Sequence, residues 1–276
     1  MQYRDSTGYY SRSAYPQPSG RMYGQRELEA VNAVANGISS YRDLVAALVD
    51  ANDGDTIEVV EAIEVSKSIL VKNNRINITC TGRGAFVPAA PDLTLFHVED
   101  ADDCNFYNIK ALRSLNGTMF KYFMEFVWVD NKKNIYVSDC YAEADNFLSF
   151  KFEFTALGSS PIDLVGTNKR NFLGQRTYIR GNTHRNFSIL SIQDNYFVTG
   201  QGSMLTITEN ETEASIFIMG VGCIVNSNVV LGKNLVGTSI YVPSTKRNII
   251  TDNIVDTGGA PIVIADNISA NNQEIG

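Results

Sequence analysis

The feature that most constrains this chain is a turn-and-strand phrase, built on asparagine, that keeps returning. Four openings share one form: Lys132-Lys133-Asn134-Ile135, Lys169-Arg170-Asn171-Phe172, His184-Arg185-Asn186-Phe187 and Lys246-Arg247-Asn248-Ile249. A second phrase follows several of them: Asp139-Cys140-Tyr141, Asp194-Asn195-Tyr196-Phe197, Ser227-Asn228-Val229-Val230 and Asp252-Asn253-Ile254-Val255. Asn228 and Asn253 are 25 residues apart, Asn105 and Asn134 are 29 apart, and Asn134 and Asn186 are 52 apart, twice 26. From Asp55 onward the intervening runs are rich in Val, Ile, Phe and Tyr, and no helical periodicity interrupts them. A period near 25 with short strands is that of a solenoid, whose turns bury their inner faces only by stacking on one another.

A β-sandwich also brings turn signals every ~8 to 12 residues. It does not require whole asparagine-bearing units to recur, and that recurrence favours a parallel β-helix. Asparagine tolerates left-handed backbone at a corner, and its amide can bond the asparagine one coil above and below. Inward Val and Ile would then stack at the ~4.8 Å strand spacing. The expected fold is all-β: a right-handed parallel β-helix of about eight or nine coils over residues 55–268. Inward stacking is expected for Ile78, Ile109, Ile135, Ile249 and Ile254.

The start of the chain is different. Residues 1–26 carry five tyrosines and four arginines against one acid, with no periodicity. Arg4, Arg12, Arg21 and Arg26 against Asp5 give this segment +3, which leaves −10 of the total −7 on the rest. Such a segment buries too little apolar surface to offset its ordering entropy, so it is expected to be an extended arm that orders on a partner surface. Tyr3, Arg4, Tyr9, Tyr10, Arg12, Tyr15, Arg21 and Tyr23 are the candidate contacts, since Tyr and Arg dominate interface hot spots. Residues 27–54 are expected to supply capping helices. One runs from Arg26 to Gly37, with Leu28, Val31 and Val34 or Ala35 on one face; a second, from Tyr41 to Val49, is N-capped by Ser39 or Ser40. Residues 55–276 form the β-helix.

Composition narrows the function classes. An acidic chain, pI near 4.9, is a poor general ligand for nucleic acid. The first 30 residues contain no apolar stretch resembling an export signal, and no run approaches the ~18 residues of a membrane span. Cys80, Cys104, Cys140 and Cys223 lack paired spacing, and His97 and His184 are far apart, so neither a metal site nor a cofactor is expected. The cysteines are expected to be buried small hydrophobes.

The entry segment Tyr41-Arg42-Asp43-Leu44-Val45-Ala46-Ala47-Leu48, followed by Gly54-Asp55-Thr56-Ile57-Glu58-Val59, and the units on Asn77-Ile78, Asn108-Ile109, Asn134-Ile135 and Asn248-Ile249 resemble the pectate-lyase-like superfamily of right-handed β-helices. The resemblance spans roughly residues 40–268 and is specific for fold. The superfamily includes lyases and hydrolases of acidic polysaccharides, bacteriophage tailspikes and proteins without activity, so fold alone does not choose. Of the four motifs of its galacturonan hydrolases, Gly-His-Gly and Arg-Ile-Lys are missing. Phe126-Val127-Trp128-Val129-Asp130 is similar to a pectate-lyase segment, but Asn131 stands where the lyases have histidine.

Scattered acids remain. Asp102 with Asp103, Glu143 with Asp145, and Asp163 are the candidates for acid–base work, which in glycosidases needs two carboxylates ~5 to 9.5 Å apart. The competing reading makes Asp102-Asp103 a solvated turn, His184 a coil corner, and Tyr136, Tyr141, Tyr178 and Tyr196 strand ladders rather than sugar platforms. The resemblance, with no export signal and a Tyr/Arg arm, implies a non-enzymatic protein of a bacteriophage particle surface, either a capsid decoration protein or a small tail spike or fibre subunit. It is expected to be a homotrimer, assembled in the host cytoplasm and held to a capsid or tail protein by its arm. A tailspike-type depolymerase acting on host-surface glycan is the alternative.

Overall fold

A computed structural model describes residues 35–73, 75–99, 101–128, 134–152, 176–185, 196–200, 205–218, 222–231, 239–242, 248–256, 262–264 and 268–275. The expected arm, most of the first expected helix and the units at 169–172 and 194–195 lie outside these residues.

Ser40 opens the helix α1, Tyr41–Asp50. Its extended backbone lets Oγ accept the N–H of Asp43 at 3.1 Å, while Asp43 adds a carboxylate at the positive end of the helix. Leu44 and Leu48, one turn apart, are buried against the first coil. This cap was legible in the sequence; the preceding element was not. Ala35–Ile38 is a strand paired in parallel with Thr56–Val59, whereas a helix was expected to run to Gly37. Pairing with the first coil supplies backbone partners that a short isolated helix lacks, and tertiary pairing overrides the local preference.

From Thr56 the chain winds as a parallel β-helix with three strand columns, and every strand pair among the described residues is parallel. The first column stacks ten strands, from Ala35–Ile38 through Thr56–Val59 to Ile268–Ala270. The second runs from Ala62–Val65 to Gln273–Ile275, and the third from Ile69–Val71 to Ile262–Ile264. The long strand Tyr141–Phe152 belongs to both: its start pairs in the second column and its remainder in the third. Nine strands of the first column follow α1, in line with the expected coil count.

Strand alternation makes the core. Along the first column Ile57, Ile78, Phe106, Val137, Ile179, Ile207, Val225 and Ile250 are in register and fully buried. Each such side chain contributes roughly 1.5–3 kcal/mol by leaving water. The wider coils near α1 are filled by a chain of rings, Phe86, Phe96, Phe106 and Phe126, with centroids 5.3, 5.5 and 6.4 Å apart.

Between the first and second columns the corner divides the asparagine's two expected tasks between adjacent residues. The first corner residue adopts positive φ: Asn108, Asp139, Gly181, Glu209, Ser227, Asp252 and Asn271. The next points inward: Ile109, Cys140, then Asn182, Asn210, Asn228, Asn253 and Asn272. In this ladder Asn182, Asn210, Asn228 and Asn253 donate Nδ2 to the Oδ1 of the following asparagine at 2.8–3.0 Å. The same oxygens accept the backbone N–H of the preceding ladder residue. Each Nδ2 also reaches a carbonyl one coil back, such as Ile207 O from Asn228 at 2.9 Å. Buried amides so satisfied carry no desolvation penalty and fix the coil register. Rungs are 28, 18, 25 and 19 residues apart, and the head of the ladder, Cys140 N–H to Asn182 Oδ1, spans 42.

The inward list needs correction at two places. Ile78, Ile109 and Ile135 are fully buried, but Ile249 and Ile254 are 37 % exposed and face outward. Asn248 and Asn253 are themselves inward, so alternation turns the next residue out and buries Ile250 and Val255 instead. Asn77 and Asn134 are half-buried strand residues, which is why the isoleucine after each points in. His184 is likewise no corner: it lies mid-strand in Thr183–Arg185, pointing inward. The last coil breaks the apolar pattern, with Ser269 in register with Ile250 and Glu274 with Val255. Glu274 Oε1 accepts the N–H of Ile262 at 3.0 Å, tying the second column to the third.

Candidate functional site

The two acid pairs lie at different corners. Asp102 and Asp103 lead into the strand Cys104–Tyr107 of the first column. Asp102 Oδ1 accepts the backbone N–H of Asn134 at 2.7 Å and of Asp103 at 2.9 Å, and its carbonyl accepts the N–H of Arg75 at 2.7 Å. It therefore staples three successive coils. Asp103 adopts positive φ, with Arg75 Nε 3.9 Å from Oδ2; burial and the adjacent Asp102 push its pKa up, while Asn134 and Arg75 pull it back. Both carboxylates are half-buried rather than solvated; Asp102 ties coils together, while Oδ1 of Asp103 is buried without a hydrogen-bond partner among the described residues.

Glu143 and Asp145 alternate outward along Tyr141–Phe152, where the chain passes from the second column to the third. Glu143 accepts the backbone N–H of Arg113 at 2.9 Å and the hydroxyl of Tyr141 at 2.9 Å, with Arg113 Nε at 3.8 Å. Its register partner Arg185 pairs with Glu211 and lies 3.8 Å from Glu213. Burial, then Glu143, raises the pKa of Tyr141. Burial and Asp92 raise that of Asp145, against the pull of Lys121. The row is a ladder of ion pairs between coils in which acids outnumber bases.

The remaining candidates separate similarly. Tyr136 and Tyr178 are register partners whose rings stack at 5.1 Å and 9°, so each covers a face of the other, as a strand ladder does. His184 is fully buried, with Nε2 2.8 Å from Ala144 O and Nδ1 3.1 Å from Thr212 Oγ1; burial lowers its pKa to about 4 and keeps it neutral. All four cysteines are free and buried, and burial raises the thiol pKa of Cys80 to about 11 and of Cys104 to about 12. Asp163, Asn131, the side chain of Tyr196 and the tyrosines and arginines of 1–26 lie outside the described residues.

One cluster escaped the sequence reading. On the outer side of the third column His97 Nδ1 is 3.1 Å from Glu125 Oε2 and Nε2 is 3.1 Å from Glu99 Oε1, while Glu99 also pairs with Lys72 at 2.5 Å. A carboxylate only accepts, so both contacts are hydrogen bonds only in the imidazolium form. Lys72 holds the Glu99 carboxyl below its ordinary value. The signal was present as His97-x-Glu99 in an alternating strand, but Glu125 joins only through stacking of the next coil.

Among the described residues no group of three or more His, Cys, Asp or Glu could hold a metal ion, and no helix is long and apolar enough to cross a membrane. No family model, no curated protein and no solved structure matches the chain.

Proposed function

We propose that this chain is a non-enzymatic structural protein of a bacteriophage particle surface, a capsid decoration protein or a small tail spike or fibre subunit. In this reading it assembles as a homotrimer in the host cytoplasm and is held to a capsid or tail protein through residues 1–26. The observation that carries the non-enzymatic part is the use made of the candidate acids. The Asp102 carboxylate accepts the backbone N–H of Asn134 in the next coil, and Glu143 is occupied by Arg113 and Tyr141. Catalytic carboxylates need a lone pair or proton aimed at substrate, and these groups are spent on neighbouring coils. The ladder of buried asparagines favours a stiff rod, which suits display. The +3 arm on a −10 body favours a drape onto an acidic partner surface.

Two measurements test the reading. Replacing Tyr9, Tyr10, Arg12 and Tyr15 by alanine should abolish incorporation into particles while leaving the circular dichroism of the β-helix intact; full occupancy would reject the anchor. The intact protein, incubated with host capsule and lipopolysaccharide, should yield neither new reducing ends nor unsaturated products. Cleavage that disappears on Asp103→Asn or Glu143→Gln would replace this reading with the depolymerase.

A further inference from the structure

The last coils carry an outward aliphatic ridge that the core does not use. Ile224 and Ile249 are register partners on the first column, and Val229 and Ile254 on the second, on either side of the corner residues Ser227 and Asp252. Ile224, Ile249 and Ile254 are 37–38 % exposed and Ile275 is 53 % exposed. Asp252, Asp256 and Glu274 are exposed on the described part of this face, whereas Glu209, Glu211 and Glu213 pair with Arg180 and Arg185 of the preceding coil, and the sequence sets Lys246 and Arg247 directly before Asn248. Asp252 sits on the ridge crest, Asp256 lies outward two residues beyond Ile254, and both are exposed.

This combination selects its occupant. Face to face with a second copy, the exposed Asp252 and Asp256 would meet their own kind. Residues 1–26 have the complementary chemistry, five tyrosines to cover aliphatic stripes and a net +3 to meet the acids. They can also reach. The first described strand, Ala35–Ile38, lies seven strand steps along the first column from Ile224–Asn226, about 34 Å at ~4.8 Å per step. A fully extended chain advances ~3.3 Å per residue, so the segment from Ala35 back to Tyr15 spans about 66 Å, and still about 50 Å with the expected helix from Arg26 advancing ~1.5 Å per residue.

We infer that in the free protein the arm of residues 1–26 docks on the Ile224–Ile249–Ile254 ridge of its own chain, with its tyrosines on the isoleucines and its arginines against Asp252 and Asp256. Tethering supplies the effective concentration that a weak, convex contact needs. A partner surface that takes the arm must compete with the ridge, so the docked form keeps a sticky segment covered until assembly. The contact does not depend on which surface the arm meets in a particle, and its test is separate from incorporation.

The full-length protein is digested with an arginine-specific protease, and cleavage at Arg12 and Arg21 is followed by mass spectrometry. Ile249→Lys with Ile254→Lys changes outward side chains only, and should speed arm cleavage at least about tenfold, as expected when a protecting contact opens. Tyr15→Ser with Tyr23→Ser should do the same without touching the ridge. Protection in the native protein should not change over a hundredfold dilution. Native cleavage as fast as in both variants would overturn the inference. Protection that fades on dilution would also overturn it, by assigning the ridge to a second copy.

Discussion

Acidification should weaken this fold through one buried ring. His184 is fully buried between Ala144 O and Thr212 Oγ1, with the Phe147 ring 5.8 Å away, and its pKa falls from 6.5 to about 4. The depressed folded-state pKa means that the unfolded chain binds the proton first. Stability from the neutral ring is therefore complete above pH 6.5 and is lost as pH falls from 6.5 to about 4. At 1.36 kcal/mol per unit, the loss between pH 7 and pH 4 is about 3 kcal/mol. Asp103 and Asp145 work in the opposite sense, since raised carboxylate pKa values favour the folded state as they protonate. The comparison must therefore be differential. Urea unfolding of native protein and His184→Gln at pH 7 and pH 4 should show the variant less stable at pH 7 and the gap shrinking by about 3 kcal/mol at pH 4. An unchanged gap would refute the assignment of a neutral, tightly held ring.

Three further outcomes follow from the coil register and the ladder. Asn228→Ala strips Asn210 N–H and Nδ2 of their acceptor and Ile207 O of a donor, and should cost about 3–9 kcal/mol at ~1–3 kcal/mol per stranded buried group; Asn272→Ala, half-buried at the ladder's end, should cost about 1–2 kcal/mol in the same urea titration. Ile250→Asp should destabilise by more than about 3 kcal/mol through a buried unpaired charge, while Ile249→Asp should stay within about 1 kcal/mol; similar melting of the two variants would reverse the register. The thiols of Cys104 and Cys140 should resist a thiol reagent until denaturant is added, because burial raises both pKa values; rapid labelling of native protein would contradict that packing.

The fold was legible because its repeat is chemical as well as hydrophobic. The phrases at Asp139-Cys140, Ser227-Asn228 and Asp252-Asn253 each give a positive-φ corner followed by an inward residue. Gly181-Asn182 and Glu209-Asn210 play the same part, but glycine and glutamate there hid them from a search keyed on Asp-Asn. Register was harder. A run such as Asn248-Ile249-Ile250 alternates equally well in either phase, and only the inward Asn248, whose Oδ1 accepts the N–H of Cys223 at 2.8 Å, decides which isoleucine is buried. The surroundings of the candidate acids were hard to read for a related reason. An acid's job in a solenoid is set by the coil above and below it, and across the 32 positions that separate Asp102 from Asn134 no pattern announces their hydrogen bond.

The two ends of the rod are held together by different forces. Near α1 the coils are wide enough to enclose Phe86, Phe96, Phe106, Phe123, Phe126 and Phe147, and apolar burial dominates there. Beyond Asn182 the described inward positions are mostly Ile, Val, Ala and Thr, and rungs come as little as 18 residues apart. A shorter coil encloses less apolar volume, so each turn gains less from the hydrophobic effect. Among the described residues, the asparagine ladder begins where the fully buried phenylalanines end. Its bonds add little net free energy each, but breaking one strands several buried groups at once. Slippage by one residue would bring Ser227 or Asp252 into the ladder position and leave the amides unpartnered. The narrow half of the rod is thus specified by directional bonds where packing alone would leave the register weakly determined.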